Sequence, residues 1–454
     1  MPSKEMIKHF KILIFLLIIS NNCFSQTKIL KLKDDSLLIK PNFSSYSIFE
    51  KENNNIFLIG ISLKSNLNKK TNFNFTYDYL HTDNMNIIKN YYDSLSVYPN
   101  FNNKNIRLSY AINHQFNSFF NIEVGKGNNF IGEGQRSLLL SNNQAPYSYL
   151  ILNTKVGKLT YSNFYCSFLN LNNNNLQKKY SAIHYLNLNI TPQFNIGIFE
   201  SVLWQSKVND YNIGYEISYL NPIIFYRPIE FSMGSNKGNA LMGLNLSLKI
   251  KNYNLYGQFL LDDINISRKK DSDEDNYSSG FFQNKYGYQI GTIIEYKNLY
   301  YNLEFNQVQP YTYAHKLPPQ NYTHLNQALA HPLGANFKEF INTIKFKKDK
   351  FLFNLSAKFI KIGLDSLNSH FGQNIFQSDY NSSNDGSQYS YGNYNGQGIL
   401  TNMYVFEPEI SYKLKYFDVF SSIYYLNKKS DLLDQTSIYF LIGIRNIPFS
   451  VFPF

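Results

Sequence analysis

The segment TNFNFTYDYL, residues 71–80, alternates aromatic and polar side chains without a break. Successive side chains of a β-strand point to opposite faces, so this segment has one aromatic and one polar face when extended. The aromatic face consists of Phe73, Phe75, Tyr77 and Tyr79. Such two-faced strands are typical of a transmembrane β-barrel, in which one face meets lipid and the other faces the lumen.

The same period of two recurs along the chain, most clearly in residues 105–116, 239–250, 300–308 and 351–362. Weaker examples bring the count to about 16 strands, and we predict an all-β fold: an antiparallel transmembrane barrel of about 16–18 strands. The alternative is a soluble all-β repeat, which the aromatic-rich faces disfavour.

The connections between these segments alternate in length, which predicts short turns at one end of the barrel and long extracellular loops at the other. Short turns are expected at Lys251-Asn252 and at residues 347–350. The long loops are expected at residues 81–104, 264–284, 309–337 and 366–401. Near the C-terminus, Pro448 cannot donate to a ladder, so we expect the last strand to stop near Asn446.

The N-terminal residues predict the compartment. Three lysines precede the apolar run Ile12–Ile19, an order that indicates a secretory signal peptide at residues 1–25 with cleavage after Ser25. We then expect an N-terminal periplasmic segment or first strand at residues 26–55 and an outer-membrane barrel at residues 56–454. The expected location is the outer membrane of a Gram-negative bacterium, where outer-membrane lipid and the barrel-assembly machinery are partners.

Charge and cysteine content exclude several classes of protein. The chain has 43 Lys+Arg against 32 Asp+Glu, but the excess is dispersed rather than clustered, which argues against a nucleic-acid partner. A mean hydropathy of −0.33 excludes a helical membrane protein. Cys166 alone remains after removal of the signal peptide, so no cysteine pair can bind zinc. No phosphate loop, GxSxG or HExxH motif is present, and we expect no enzyme, cofactor or metal.

The stretch GEGQRSLLLSNNQAP, residues 132–146, departs from the strand pattern. Gly132 and Gly134 allow close backbone approach or positive φ, so the chain can fold from the wall into the lumen. Glu133 and Arg136 can then pair with each other or with charges on the lumen wall. We predict that this segment forms a constriction or plug.

A similar inward fold is predicted for residues 219–231, YLNPIIFYRPIEF, in which Arg227 and Glu230 repeat the pairing of a base with an acid. Trp204 could stack on a sugar. For each of these residues a purely structural role stays open, because lumen acids and bases in large barrels mostly hold loops in place. The candidate glycan-binding or lumen-lining residues are Glu133, Arg136, Trp204, Arg227, Glu230, Asp262, Asp263 and His331. Asp262-Asp263 could otherwise be a paired acid and base or a solvated strand end, and His331 a loop-packing residue.

Residues 125–165 resemble the capsule-assembly Wzi family of outer-membrane barrels and the related gliding-motility RemB proteins of Bacteroidetes. Three further segments extend the resemblance in the same order: residues 216–231, 257–266 and 330–340. The Wzi resemblance implies a non-enzymatic barrel that binds or anchors surface polysaccharide, whether capsular or exopolysaccharide. The RemB resemblance implies a surface component of gliding motility or adhesion, with gliding or secretion machinery as a possible partner. A diffusion channel is the third hypothesis, which the inward-folding motifs disfavour.

Overall fold

The computed structural model describes most of the chain between residues 28 and 447. The described ranges are residues 28–32, 35–49, 53–82, 106–172, 175–208, 211–212, 214–221, 238–264, 284–366, 369–380 and 392–447. The predicted signal peptide lies outside them, as do Arg227 and Glu230. No helix within these ranges is long and apolar enough to cross a membrane.

Almost all regular structure in these ranges is β-strand, with two short 3-10 helices, η1 (Ile217–Leu220) and η2 (Pro318–Gln320). The strands are β1 (Lys28–Leu32), β2 (Asp35–Phe49), β3 (Asn53–Asn68), β4 (Thr71–Thr82), β5 (Ile106–Gln115), β6 (Phe120–Gly127), β7 (Tyr147–Val156), β8 (Leu159–Asn172), β9 (Asn175–Asn189), β10 (Phe194–Gln205), β11 (Lys207–Val208), β12 (Tyr211–Asn212), β13 (Asn239–Ile250), β14 (Tyr253–Asp263), β15 (Lys285–Tyr296), β16 (Leu299–Val308), β17 (Thr323–His324), β18 (Gln327–Ala328), β19 (Phe337–Lys348), β20 (Phe351–Leu364), β21 (Ile399–Lys413), β22 (Asp418–Lys429) and β23 (Asp434–Arg445).

Eighteen of these strands form one closed antiparallel barrel: β2–β10, β13–β16 and β19–β23. The barrel closes where β2 pairs with β23, from Ser44 opposite Arg445 to Phe49 opposite Phe440. β1 pairs with the other half of β2, beyond the end of β23. Closure leaves no exposed sheet edge among the barrel strands. The predicted all-β barrel of 16–18 strands is confirmed, and its last strand ends at Arg445, next to the expected stop.

The two faces of β4 lie as predicted. Tyr77 and Tyr79 point outward and are exposed, whereas Asp78 points into the lumen and is buried. Apolar side chains also cover the outside of distant strands, including Ile290 on β15 and Phe440 on β23. A closed barrel satisfies its backbone hydrogen bonds internally, and with this apolar outer surface it suits a lipid bilayer. The chain is an outer-membrane-type barrel.

The two ends of the barrel differ in the length of their connections. At the end that we call the turn end, connections are short, as at residues 251–252 and 349–350, where Lys251 and Asp349 adopt positive φ of 53° and 52°. The opposite loop end has the long connections that follow β4, β6, β10, β14, β16 and β20. This separation matches the predicted alternation of short and long connections.

Two of the long connections fold into the barrel. Residues 128–146, the first inward segment, and residues 309–336, the second inward segment, bond to lumen-facing side chains of the wall. Leucines of both segments belong to the apolar core, and Leu138, Leu139 and Leu329 have no solvent exposure. The predicted inward fold of residues 132–146 is therefore present, and it narrows the lumen.

The long connection after β10 follows a different course. On β9 and β10, Lys179 and Leu203 face the lumen, so their neighbours Tyr180 and Trp204 face outward. The Trp204 ring packs 4.8 Å from Tyr215 and 4.7 Å from Tyr219, measured between ring centroids. The described residues 214–221 therefore lie on the outside of the wall. The inward fold predicted for residues 219–231 is wrong over the part described, because an outward aromatic cluster holds the chain there.

The outward orientation of Tyr77 can be tested by placing a cation in its position. Tyr77→Arg should destabilise the barrel in lipid by about 2–4 kcal/mol if the site lies near the bilayer midplane. Asn74→Arg, on the lumen face of the same strand, should change the free energy of unfolding by less than about 0.5 kcal/mol. Urea unfolding in lipid vesicles measures both. An equal loss for the two variants would contradict the assigned faces.

Candidate functional site

The two glycines of the first inward segment are required by their surroundings. Gly132 has a φ of 142°, and a Cβ atom there would collide with the Gln258 amide. At Gly134 a Cβ atom would meet the carboxylate of Glu304 and, at 2.8 Å, the ring of Tyr256. Glycine is the residue that allows such close approach of backbone to side chain. At the GEG motif, the backbone of the segment therefore packs directly against side chains of the lumen wall.

Glu304 on β16 holds this turn. Its buried carboxylate accepts hydrogen bonds from the backbone N–H of Gln135 at 2.7 Å and of Arg136 at 3.1 Å. The hydroxyl of Tyr256 donates to the same carboxylate at 2.8 Å. Hydrogen bonds to a charged acceptor are stronger than neutral ones. Glu304 was not among the predicted site residues, although its place on the polar face of residues 300–308 marked it as lumen-facing.

Arg136 pairs with a charge on the lumen wall rather than with Glu133. Its guanidinium donates to Glu339 Oε1 at 3.2 Å, and both side chains are buried. The other oxygen of Glu339 lies 2.7 Å from Nε2 of His331. Nδ1 of His331 accepts from the Leu333 N–H at 3.2 Å, so in the neutral ring the proton lies on Nε2 and is donated to Glu339. Burial lowers the pKa of His331, which favours this neutral form.

Side-chain amides of the wall satisfy the backbone of the first inward segment. Gln258 accepts from the Leu138 N–H at 2.8 Å and donates to the Ile131 carbonyl at 2.9 Å. Gln289 donates to the Arg136 carbonyl at 2.9 Å. A buried non-strand segment needs such partners because an unpaired buried backbone group is costly. The lumen wall is therefore shaped to hold this particular conformation.

The two inward segments are bonded to each other. The hydroxyls of Tyr313 and Tyr322 donate to the carbonyls of Leu138 and Leu139 at 2.8 and 2.9 Å. The Ser141 N–H donates to the Leu329 carbonyl at 2.8 Å. The segments thus form one connected plug, with the second inward segment on the loop side of the first.

Asp262 and Asp263 belong to a separate cluster around Lys285. The Lys285 ammonium lies 3.4 Å from Asp262, 2.7 Å from Asp263 and 2.9 Å from Asp379, and it has no solvent exposure. It also donates to the Ala314 carbonyl at 3.0 Å. The two aspartates are therefore not a free acid–base pair, because both contact Lys285; Asp262 is buried and Asp263 is 30% exposed. They attach the second inward segment and the Asp379 loop to the wall.

The predicted site residues are thus divided among several places. Arg136 and His331 meet at Glu339, and Asp262 and Asp263 meet at Lys285. Trp204 lies on the outer wall, where neighbouring tyrosines cover it. Within the described ranges, no group of three or more His, Cys, Asp or Glu side chains is arranged to hold a metal ion.

Glu133 lies in a different environment, a cleft of ≈ 440 Å³ on the turn side of the first inward segment. The Asn254 amide donates to its carboxylate at 3.3 Å. The cleft extends from Phe130 to the turn residues Pro192 and Gln193, so it opens toward the turn end. Its wall comes from strands β8, β9, β10 and β13. No local sequence pattern predicts this cleft, because its walls are distant in the chain.

Comparison with solved structures finds outer-membrane barrels of Pseudomonas aeruginosa. OprD is 10% identical with a TM-score of 0.47, over 92% of this chain and 97% of that chain. OpdK, solved with vanillate, is 8% identical with a TM-score of 0.48, over 91% and 99%. OccD3 (OpdP) is 10% identical with a TM-score of 0.45, over 93% and 94%. No family model and no curated protein matches the chain.

The predicted membership of the Wzi family, with its RemB relatives, was wrong. No family model matches the chain, and the similar structures named above are OprD and its Occ relatives. The anchoring of surface polysaccharide depended on that membership and is not retained, nor is the gliding or adhesion role that rested on the same motifs. The glycine-rich motif that suggested the family is explained by the close packing of Gly132 and Gly134 against the wall.

The buried pair of Arg136 and Glu339 can be tested by a double-mutant cycle. Arg136→Met should lower the free energy of unfolding by about 3–5 kcal/mol, because it leaves a buried carboxylate without its cation. The double variant, with Arg136→Met and Glu339→Gln together, should lose less free energy of unfolding than the sum of the losses in the two single variants, by about 0.5–3 kcal/mol. Equilibrium urea unfolding of detergent-folded protein measures this, with Lys158→Met at an exposed turn as control. Strict additivity would contradict the pairing.

Proposed function

We propose that this protein is an outer-membrane diffusion channel for small polar solutes, narrowed from within by the two inward segments. The observation that carries the proposal is the polar cleft that the first inward segment leaves open at the turn end. We place the turn end in the periplasm and the long loops outside the cell, the usual orientation of such barrels. Solutes would enter between the loops and pass beside the first inward segment, which narrows the lumen.

The wall away from the first inward segment supports a hydrated passage. On the lumen face of β4 and β5, Asp78 and Arg107 form an ion pair at 2.6 Å, and the Arg107 side chain is 27% exposed. Further round the barrel, Arg445 and Glu409 pair at 2.5 Å. Charged groups that keep contact with solvent suit a water-filled lumen. The lumen thus combines a fixed plug with a wall whose charged side chains are partly exposed to solvent.

The charged groups of the plug also support a channel rather than an enzyme. Glu304 is bonded to backbone N–H groups, Glu339 to Arg136 and His331, and Lys285 to three aspartates. Each of these groups is committed to holding the inward segments in place. Their arrangement fits a rigid constriction, which selects solutes by size and polarity.

The experiment is single-channel recording in planar lipid bilayers, with wild type compared with a variant in which residues 129–145 are replaced by a short Gly/Ser turn. Wild type should conduct, and the variant should conduct several-fold more, because the first inward segment no longer narrows the lumen. Asn113→Ala, a lumen-wall change away from that segment, serves as control and should conduct like wild type.

Two results would overturn the proposal. One is a wild-type barrel that is folded, as judged by heat-modifiable gel mobility, and yet conducts no current. The other is a shortened variant that is folded and conducts like wild type, since the segment would then not limit the passage.

A further inference from the structure

The cleft next to Glu133 has the composition of a ligand site. Its volume of ≈ 440 Å³ lies within the range of about 300–1,000 Å³ that small-molecule pockets occupy. The rings of Phe130 and Phe164 line it, and the first of these belongs to the first inward segment. Aromatic rings offer an apolar face to the C–H groups of a small solute.

The polar groups that line the cleft include both hydrogen-bond donors and hydrogen-bond acceptors. The Tyr185 hydroxyl accepts from the Asn245 amide at 3.3 Å and still has its own hydrogen to donate. The Asn189 oxygen accepts from the Asn195 amide at 2.8 Å, which leaves the Asn195 oxygen as an acceptor. Asn187 lines the same space, and its Oδ1 has no hydrogen-bond partner among the described residues.

The net charge of the cleft is close to zero. Its charged lining residues are Glu133 and Lys249, one acid and one base, and Lys249 is exposed at the mouth. A solute with a full charge would meet one attractive and one repulsive group. A hydroxyl group both donates and accepts, so it matches a lining of amides and a phenol better than a carboxylate or an ammonium does.

We infer that this cleft binds one small uncharged polyhydroxylated molecule, of the size of a monosaccharide or a six-carbon polyol, during its passage through the barrel. The inference rests on the proposed channel function and adds a solute class to it. In this arrangement the amides of Asn187 and Asn195 bond hydroxyls, and the Phe164 ring packs on the carbon skeleton.

The test is a saturation-transfer NMR titration of the detergent-folded full chain with four probes: glucose, sorbitol, gluconate and glucosamine. Gluconate and glucosamine keep a six-carbon skeleton but carry a negative and a positive charge. Glucose and sorbitol should bind at least 10-fold more tightly than the charged probes. Asn187→Leu and Phe164→Leu should each weaken glucose binding at least 10-fold, whereas Asn113→Ala, outside the cleft, should leave it unchanged.

The possible failures of this inference and of the channel proposal are separable. Conductance without glucose or sorbitol binding overturns the inference and leaves the channel standing. If glucosamine or gluconate binds more tightly than glucose and sorbitol, the assignment of an uncharged solute is overturned. Binding that both cleft variants leave unchanged overturns the location. Binding weakened by both cleft variants in a barrel that does not conduct supports the site and overturns the channel.

Discussion

The buried carboxylate of Glu304 is the contact on which the interior of this barrel depends. A chain that leaves the wall and enters the lumen gives up its ladder hydrogen bonds, and each buried N–H then needs another acceptor. Glu304 supplies that acceptor to Gln135 and Arg136, at the point where Gly134 has no side chain to keep the carboxylate away. A single acid on the wall and a single missing side chain on the segment thus determine where the plug begins.

The rest of the plug is built outward from this contact in layers. The Arg136 guanidinium forms an ion pair with Glu339, and His331 of the second inward segment donates a hydrogen bond to the same carboxylate. Tyr313 and Tyr322 bond that segment to the first, and Lys285 fixes it to the wall on the loop side. Each layer brings apolar side chains of both segments together, so polar anchoring and apolar burial stabilise the same conformation. On the turn side of the first inward segment, the cleft next to Glu133 is left open.

The barrel itself was largely predictable because its signal is local. Sixteen of the strands follow from a period of two in the sequence. The other two, β2 and β7, break that period for physical reasons, and β2 lies within residues 26–55, where a periplasmic segment or a first strand was predicted. β2 (Asp35–Phe49) has serines on its outward face and Pro41 in its middle, and β7 (Tyr147–Val156) contains an unbroken apolar run because both its faces meet side chains. The plug was predictable only in part. The glycines indicated an inward fold, but Glu304 and Glu339 lie 168 and 203 residues from Arg136, and no local pattern joins them. The family resemblance failed for a related reason, since a glycine-rich turn reflects close packing of the backbone against a wall and does not indicate a function.

The most direct test of this account is hydrogen–deuterium exchange of the first inward segment, measured by mass spectrometry on wild type and on Glu304→Ala. We predict slow exchange of the peptide around Gln135 and Arg136 in wild type and fast exchange in the variant. Peptides from β4 should exchange alike in both proteins, which shows that the barrel is intact. Equally slow exchange of the segment in both proteins would contradict the claim that Glu304 holds it in the lumen.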